Sequence, residues 1–169
     1  NLGPLHQTVL RIAPDTDGGR VTALAPHPTD PRILYLATQS GIFRCANADP
    51  DLRGDWTWES LGDALPSSSA DGNLSVGALA LSPADPSVLY AGMGDPFGTD
   101  ARGFHVSRDA GATWSAAVML GAATRTLDIL ALDAHVILVG TNAGLWRSTD
   151  GGATFSSLPL GGSAGGNAW

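Results

Sequence analysis

The chain of 169 residues is 43% hydrophobic but only 15% charged, against about 25% in ordinary soluble domains, and its 22 glycines, with abundant Ser, Thr and Asp, make up the difference. That length allows one domain with a real core, and the composition suits short strands joined by tight turns. The net charge of −7 argues against nucleic acid, which needs a basic footprint, and against anionic lipid. All nine positive charges are Arg, which reads as a base-composition bias of the source genome. The single cysteine, Cys45, excludes an intrachain disulfide and a cysteine-rich zinc site; in GIFRC it reads as a small buried hydrophobe. No apolar run has the length to cross a bilayer as a helix, and the longest, around Val136 to Val139, is strand-sized. Asn1 is no initiator, so a leader or preceding domain is expected to have been removed.

Taken in order, residues 1–20 hold one alternating segment, Gln7 to Ala13, and then a turn cluster. Asp15 and Asp17 before Gly18 resemble the opening of a calcium loop, but the later ligands are missing and the pair reads as a turn. From Val21 the chain repeats. VTALAPHP, TDPRILYLAT, GIFRCAN and WTWESL form the first copy; VGALALSP, ADPSVLYAGM, GFHVSRD and TWSAAVML the second; TLDILALD, AHVILVGT, GLWRSTD and TFSSLPL the third. Each copy predicts four short strands bounded by Pro, Gly, Asp or Asn. The copies occupy residues 21–65, 66–121 and 122–161, followed by 162–169 as the start of a further unit or a linker. Gly41, Gly103 and Gly144 open the third strands at intervals of 62 and 41 residues, and the longer interval holds insertions at 48–55 and from Asp63 to Asn73.

One register recurs between the third and fourth strands. It comprises Ser107, Asp109, Gly111, Thr113 and Trp114, then Ser148, Asp150, Gly152, Thr154 and Phe155. The Asp side chain can accept hydrogen bonds from the N–H groups just after it, the Gly can take positive φ, and the aromatic supplies buried area against a neighbouring sheet. In the first copy the pattern has decayed: Cys45 and Asn47 take the Ser and Asp slots, and Thr57 and Trp58 arrive after the insertion, which predicts a longer and irregular hairpin.

This register resembles the Asp-box, or bacterial neuraminidase repeat, of β-propellers. The resemblance implies an all-β fold, a propeller segment of about three four-stranded antiparallel blades with Asp-box hairpins. Residues 1–20 would then be a strand from an adjacent blade plus a turn. Three copies are too few to close a ring, so the segment is expected to belong to a larger propeller, completed by the same polypeptide or by other chains. Pro-x-Asp-Pro before an Ile/Val-Leu-Tyr strand, at Thr29 to Tyr35 and Ala84 to Tyr90, is similar to a superfamily that includes sortilin-type receptors, photosystem II assembly propellers, xyloglucanases and sialidases.

The enzymatic branches require residues that can be checked. Xyloglucanases of this type carry an acidic residue just before the third-strand glycine of the first copy; here Ala37-Thr38-Gln39-Ser40-Gly41 has no carboxylate. Sialidases need an arginine clamp with Tyr and Glu, whereas this chain has one glutamate, Glu59, and no Arg-Ile-Pro signature. GMGDPFG, Gly92 to Gly98, has the wrong spacing for a dinucleotide loop, and without Lys there is no P-loop. His6, His27, His105 and His135 show no metal-ligand spacing, and Asn73-Leu74-Ser75 is formally a glycosylation acceptor. No catalytic residue, metal or cofactor is therefore assigned.

The remaining candidate is the loop GDPFGTDARG, Gly94 to Gly103, where Asp95, Phe97, Asp100 and Arg102 form a candidate binding surface with an aromatic anchor. The insertion with Arg53 and Trp56 is a lesser one. The expected function is a noncatalytic, extracytoplasmic module that binds protein or scaffolds an assembly, with protein or further blades as partners. The alternatives are a piece of a secreted glycoside hydrolase and a carbohydrate-binding propeller.

Overall fold

Period-two alternation decides which face each strand buries, and it does so three times in succession. The computed structural model describes residues 11–13, 16–17, 19–48, 56–66 and 73–159. Strands β3 (Val21–Pro26), β4 (Leu34–Thr38), β5 (Gly41–Cys45) and β6 (Trp58–Ser60) pair in chain order as one antiparallel sheet, blade 1. Blade 2 contains β7 (Val76–Leu81), β8 (Leu89–Met93) and β9 (Phe104–Ser107). Blade 3 contains β10 (Thr126–Ala131), β11 (Ile137–Thr141), β12 (Gly144–Ser148) and β13 (Ser156–Leu158). The first strands lie side by side, β7 between β3 and β10, which is how propeller blades gather around an axis. Each first strand shifts register near its start, between Val21 and Ala23, Val76 and Ala78, and Thr126 and Asp128. Such irregularities raise the local twist that turns one blade relative to the next.

The core is two layers between three sheets. Along β8, Leu89, Ala91 and Met93 point into the layer shared with blade 1, where they join Ile42, Leu61, Val76 and Trp114. Tyr90 points the other way, into a layer with Phe104, Val106, Ile129, Ile137 and Val139 of blades 2 and 3. The Tyr90 and Phe104 rings stack at 6.0 Å, and Phe155 meets Phe104 edge-on at 4.8 Å. Glycine permits the close approach of blades 2 and 3. A Cβ on Gly77 would fall 2.0 Å from the Thr126 carbonyl oxygen and 2.1 Å from that of Gly94.

Three expectations change. Blade 2 has no regular fourth strand: TWSAAVML contributes a bridge between Val118 and Phe104 and a bond from the Ser115 N–H to the Val106 carbonyl at 2.8 Å. The Ser115 side chain is the cause, because its Oγ accepts the Val106 N–H at 3.0 Å and donates to the Ala116 carbonyl, taking a ladder position from the backbone. Near the start, β1 (Arg11–Ala13) and β2 (Thr16–Asp17) pair with each other, Arg11 opposite Asp17, so a two-stranded hairpin stands where one strand and a turn were expected. Asp17 is in a strand, while Gln7 to Leu10 and Asp15 lie outside the described residues. Finally, the polar run from Asp63 opens with a 3-10 turn, Gly62–Ala64, because Leu61 and Leu65 on either side of it are buried in the first core layer. Arg53 and the tail from Leu160 to Trp169 also lie outside the described residues.

Candidate functional site

The Asp-box turns come first, since they occupy one end of every blade. Ser107 donates its hydroxyl to Asp109 Oδ1 at 2.8 Å and accepts the Gly111 N–H at 2.8 Å. Asp109 then accepts the Thr113 N–H at 2.8 Å and the Thr113 hydroxyl at 2.6 Å. In blade 3, Ser148 reaches Asp150 at 2.7 Å and Gly152 reaches Ser148 at 2.9 Å, while Asp150 takes the Thr154 N–H at 2.9 Å and its hydroxyl at 2.5 Å. The Thr113 hydroxyl and N–H, followed by Ser107, lower the Asp109 pKa, and the equivalent bonds led by Thr154 hold Asp150 at about 2. Blade 1 keeps this geometry with different atoms: the Cys45 thiol donates to Asn47 Oδ1 at 3.2 Å, and Thr57 gives the same oxygen its N–H at 2.9 Å and hydroxyl at 3.1 Å. The box that reads as decayed is thus rebuilt across its insertion. In all three blades the next N–H docks on the blade's own first hairpin: Ala48 to Arg32, Ala110 to Ser87, Gly151 to His135. These carboxylates are saturated by turn donors, so they organise chain reversals.

At the opposite end of the blades lie the turns between second and third strands and the segments that lead into the first strands. Here the Gly94 to Gly103 loop is clamped from both sides. Asp95 is fully buried. Its carboxylate accepts Gln39 Nε2 from blade 1 at 3.0 Å, the Ser75 hydroxyl at 2.9 Å and the Phe97 N–H at 2.6 Å. Burial alone would raise its pKa, but the bonds from Thr99, Gln39, Ser75 and Phe97 together outweigh it and set the value at about 2. On the blade 3 side, Asp100 pairs with Arg125 at 2.6 Å and accepts the Thr124 hydroxyl at 3.2 Å, and Arg125 is the main cause of its lowered pKa. Asn142, from the turn between β11 and β12, holds Thr124 and Arg125 by their N–H groups, both at 3.1 Å. Gly94 is fixed by contact, as a Cβ there would lie 2.0 Å from the Thr124 carbonyl oxygen.

The four candidate loop residues therefore divide. Asp95 is interior and Asp100 is paired, whereas Phe97 is 60% exposed and Arg102 is exposed. The Arg20 guanidinium lies 4.2 Å from the Phe97 ring centroid and covers one of its faces. Sequence reasoning missed Gln39, Arg20, Arg125 and Asn142 as parts of this face, because each comes from a different turn. It also left Asn73-Leu74-Ser75 as a glycosylation acceptor. Asn73 Nδ2 donates to the Asp100 carbonyl at 3.0 Å, and Ser75 is buried on Asp95, so the motif is committed to holding the loop. Among the described residues no group of three or more His, Cys, Asp or Glu converges as a metal site, and no helix is long and apolar enough to cross a membrane.

No family model matches the chain. It is 33% identical over 152 residues to the oligoxyloglucan-reducing end-specific xyloglucanase of Emericella nidulans, covering 83% of this chain and 18% of that protein. It is 31% identical over 161 residues to the xyloglucanase of Hypocrea jecorina, with the same coverages. The chain thus spans about a fifth of the length of these curated relatives. Among solved structures, the GH74 xyloglucanase from Xanthomonas campestris superposes with a TM-score of 0.58 at 31% identity, over 83% of this chain and 21% of that one. An ancestral GH74 enzyme gives a TM-score of 0.62 at 18% identity, over 85% of this chain and 19% of that one. YCF48 bound to D1 peptide gives 0.58 at 14% identity, over 83% of this chain and 40% of that one. The last two bear on the fold alone. The chain is a segment of a β-propeller, and its relatives include xyloglucanases.

Proposed function

We propose that this propeller segment is a noncatalytic, extracytoplasmic binding section that engages a protein partner or scaffolds a larger assembly, with the loop face around Phe97 and Arg102 as its contact surface. One observation carries the reading. Where resemblance to xyloglucanases calls for an acidic residue just before the third-strand glycine, the stretch Ala37 to Gly41 has no carboxylate, and its Gln39 amide is committed to Asp95 at 3.0 Å. The neighbouring carboxyls do not substitute for it. Asp95 is enclosed by donors and stays ionised down to about pH 2, and Asp100 is paired with Arg125. Glycoside cleavage needs two positioned carboxyl groups, one of them able to hold a proton near working pH. The extracytoplasmic location is drawn from the relatives, which are named for a polysaccharide substrate.

A second reading, a section of a secreted glycoside hydrolase whose carboxylates lie elsewhere in the polypeptide, is favoured by the xyloglucanase relatives themselves. The test is to incubate the whole polypeptide with xyloglucan oligosaccharides, following reducing-end release and, in parallel, binding by calorimetry. The proposed reading expects neither. Turnover would replace it with the hydrolase reading, and binding without turnover would make the section a carbohydrate-binding propeller.

A further inference from the structure

Blade 2 departs from its neighbours at its outer edge, and the departure leaves room. Where blades 1 and 3 have β6 and β13, the Ser115 to Val118 segment is hydrogen-bonded to β9 at its two ends but forms no regular strand. Between this segment and the box turn of blade 3 opens a crevice of about 450 Å³, within the range of small ligand sites. Val106, Val118 and residues 113–116 line one side, and residues 151–153 of the blade 3 turn line the other. Gly152 lets the blade 3 turn seat directly on the core beside it: a Cβ there would lie 2.9 Å from Phe104 Cε1 and 3.0 Å from Val106 Cγ2. Arg108 stands at the mouth, exposed, with Nη2 3.7 Å from the place a Gly151 Cβ would take. It pairs with no carboxylate among the described residues.

We propose that this crevice is a docking pocket for a peptide segment that inserts one aliphatic or aromatic side chain and sets an adjacent carboxylate on Arg108. The lining selects the chemistry. The Thr113 hydroxyl proton is committed to Asp109 and the Ser115 hydroxyl proton to the Ala116 carbonyl, so neither hydroxyl has a proton left to donate to a sugar ring. An apolar side chain loses nothing there and gains the burial of its surface. The Arg108 guanidinium supplies a strong polar contact, and its planar fork suits a carboxylate. The pocket is at the Asp-box end, opposite Phe97, so it stands or falls independently of the loop face.

The test uses the whole polypeptide and a capped peptide, acetyl-Gly-Asp-Phe-Gly-amide, titrated by calorimetry. Binding on the order of 100 µM is expected. Replacing the peptide's Asp by Asn, or Arg108→Gln in the protein, should each weaken it roughly tenfold. Ala116→Trp, which fills the crevice from an exposed lining position, should remove it with the melting temperature unchanged. Undiminished affinity in both variants, no binding at millimolar peptide, or binding of free 3-phenylpropionate without binding of the peptide would each overturn the proposal.

Discussion

Gln39, in the turn between β4 and β5, donates its side-chain amide to the buried carboxylate of Asp95 across 56 positions of sequence. The bond ties blade 1 to the loop that presents Phe97, and the same carboxylate takes the Phe97 N–H itself. Position 39 therefore works as a clamp on the loop.

Asp95→Asn tests the clamp. An amide offers one acceptor oxygen where the carboxylate offers two, and its NH2 group would face either the Phe97 N–H or the Gln39 and Ser75 donors. The expected loss is about 2–3 kcal/mol at pH 7, measured by urea unfolding. The sign with pH follows from the lowered pKa. The stabilisation is complete above the unfolded value near 4 and is lost as pH falls through the folded value of about 2. The wild-type advantage over the variant should accordingly shrink between pH 4 and 2, and a constant gap would remove Asp95 from this role.

Trp114 and Phe155 fill the same slot of successive boxes but differ in burial. Trp114 is 9% exposed in the layer between blades 1 and 2, whereas Phe155 is half-buried against Phe104. Trp114→Ala should cost about 3–5 kcal/mol and Phe155→Ala about half as much, because less of its ring leaves the core. A loss under about 1 kcal/mol for Trp114 would contradict the packing.

The blades were legible in sequence because two periodicities coincide. Alternation placed β3, β4, β7, β8, β10 and β11, and the box register placed the turns after β9 and β12. The altered first box read as decayed, although Asn47 and Thr57 stand in the slots that their side chains go on to use. The missing fourth strand of blade 2 was not legible. A serine suits an outer strand as well as a loop, and only three dimensions bring the Ser115 hydroxyl to the Val106 N–H before a backbone carbonyl arrives. The loop face was read in part, because Phe97 announces itself while Arg20, Gln39, Arg125 and Asn142 acquire their partners only when three blades are side by side.

Ala110 is the one non-glycine with positive φ among the described residues, at 57°, and Gly151 occupies the same box slot at 70°. A Cβ in this region crowds the following carbonyl at a cost of about 1–2 kcal/mol, part of which is offset by glycine's greater freedom when unfolded. Ala110→Gly should therefore stabilise the fold by about 0.5–1 kcal/mol in a urea melt. No gain, or a loss, would mean that the Ala110 methyl contributes packing worth as much as the strain.

His105 should set how this fold responds to mild acid. It is fully buried, and it lies opposite Ala91 in the ladder, on the face toward blade 1. Nδ1 lies 3.0 Å from the Ser115 carbonyl and must carry the proton, which leaves Nε2 as a bare acceptor with no partner among the described residues. Burial pushes the pKa below its ordinary value, against the weaker opposite pull of the Ser115 bond. The unfolded chain takes up this proton near pH 6.5 and the folded chain only at lower pH, so stability is complete above about 6.5 and falls below it. The slope cannot exceed about 1.4 kcal/mol per pH unit for one group. His105→Leu keeps an apolar side chain in the layer and removes the titration, so the urea midpoint should decline less between pH 7 and 5 than in the wild type. An equal decline would place the acid sensitivity on other groups and leave His105 as packing alone.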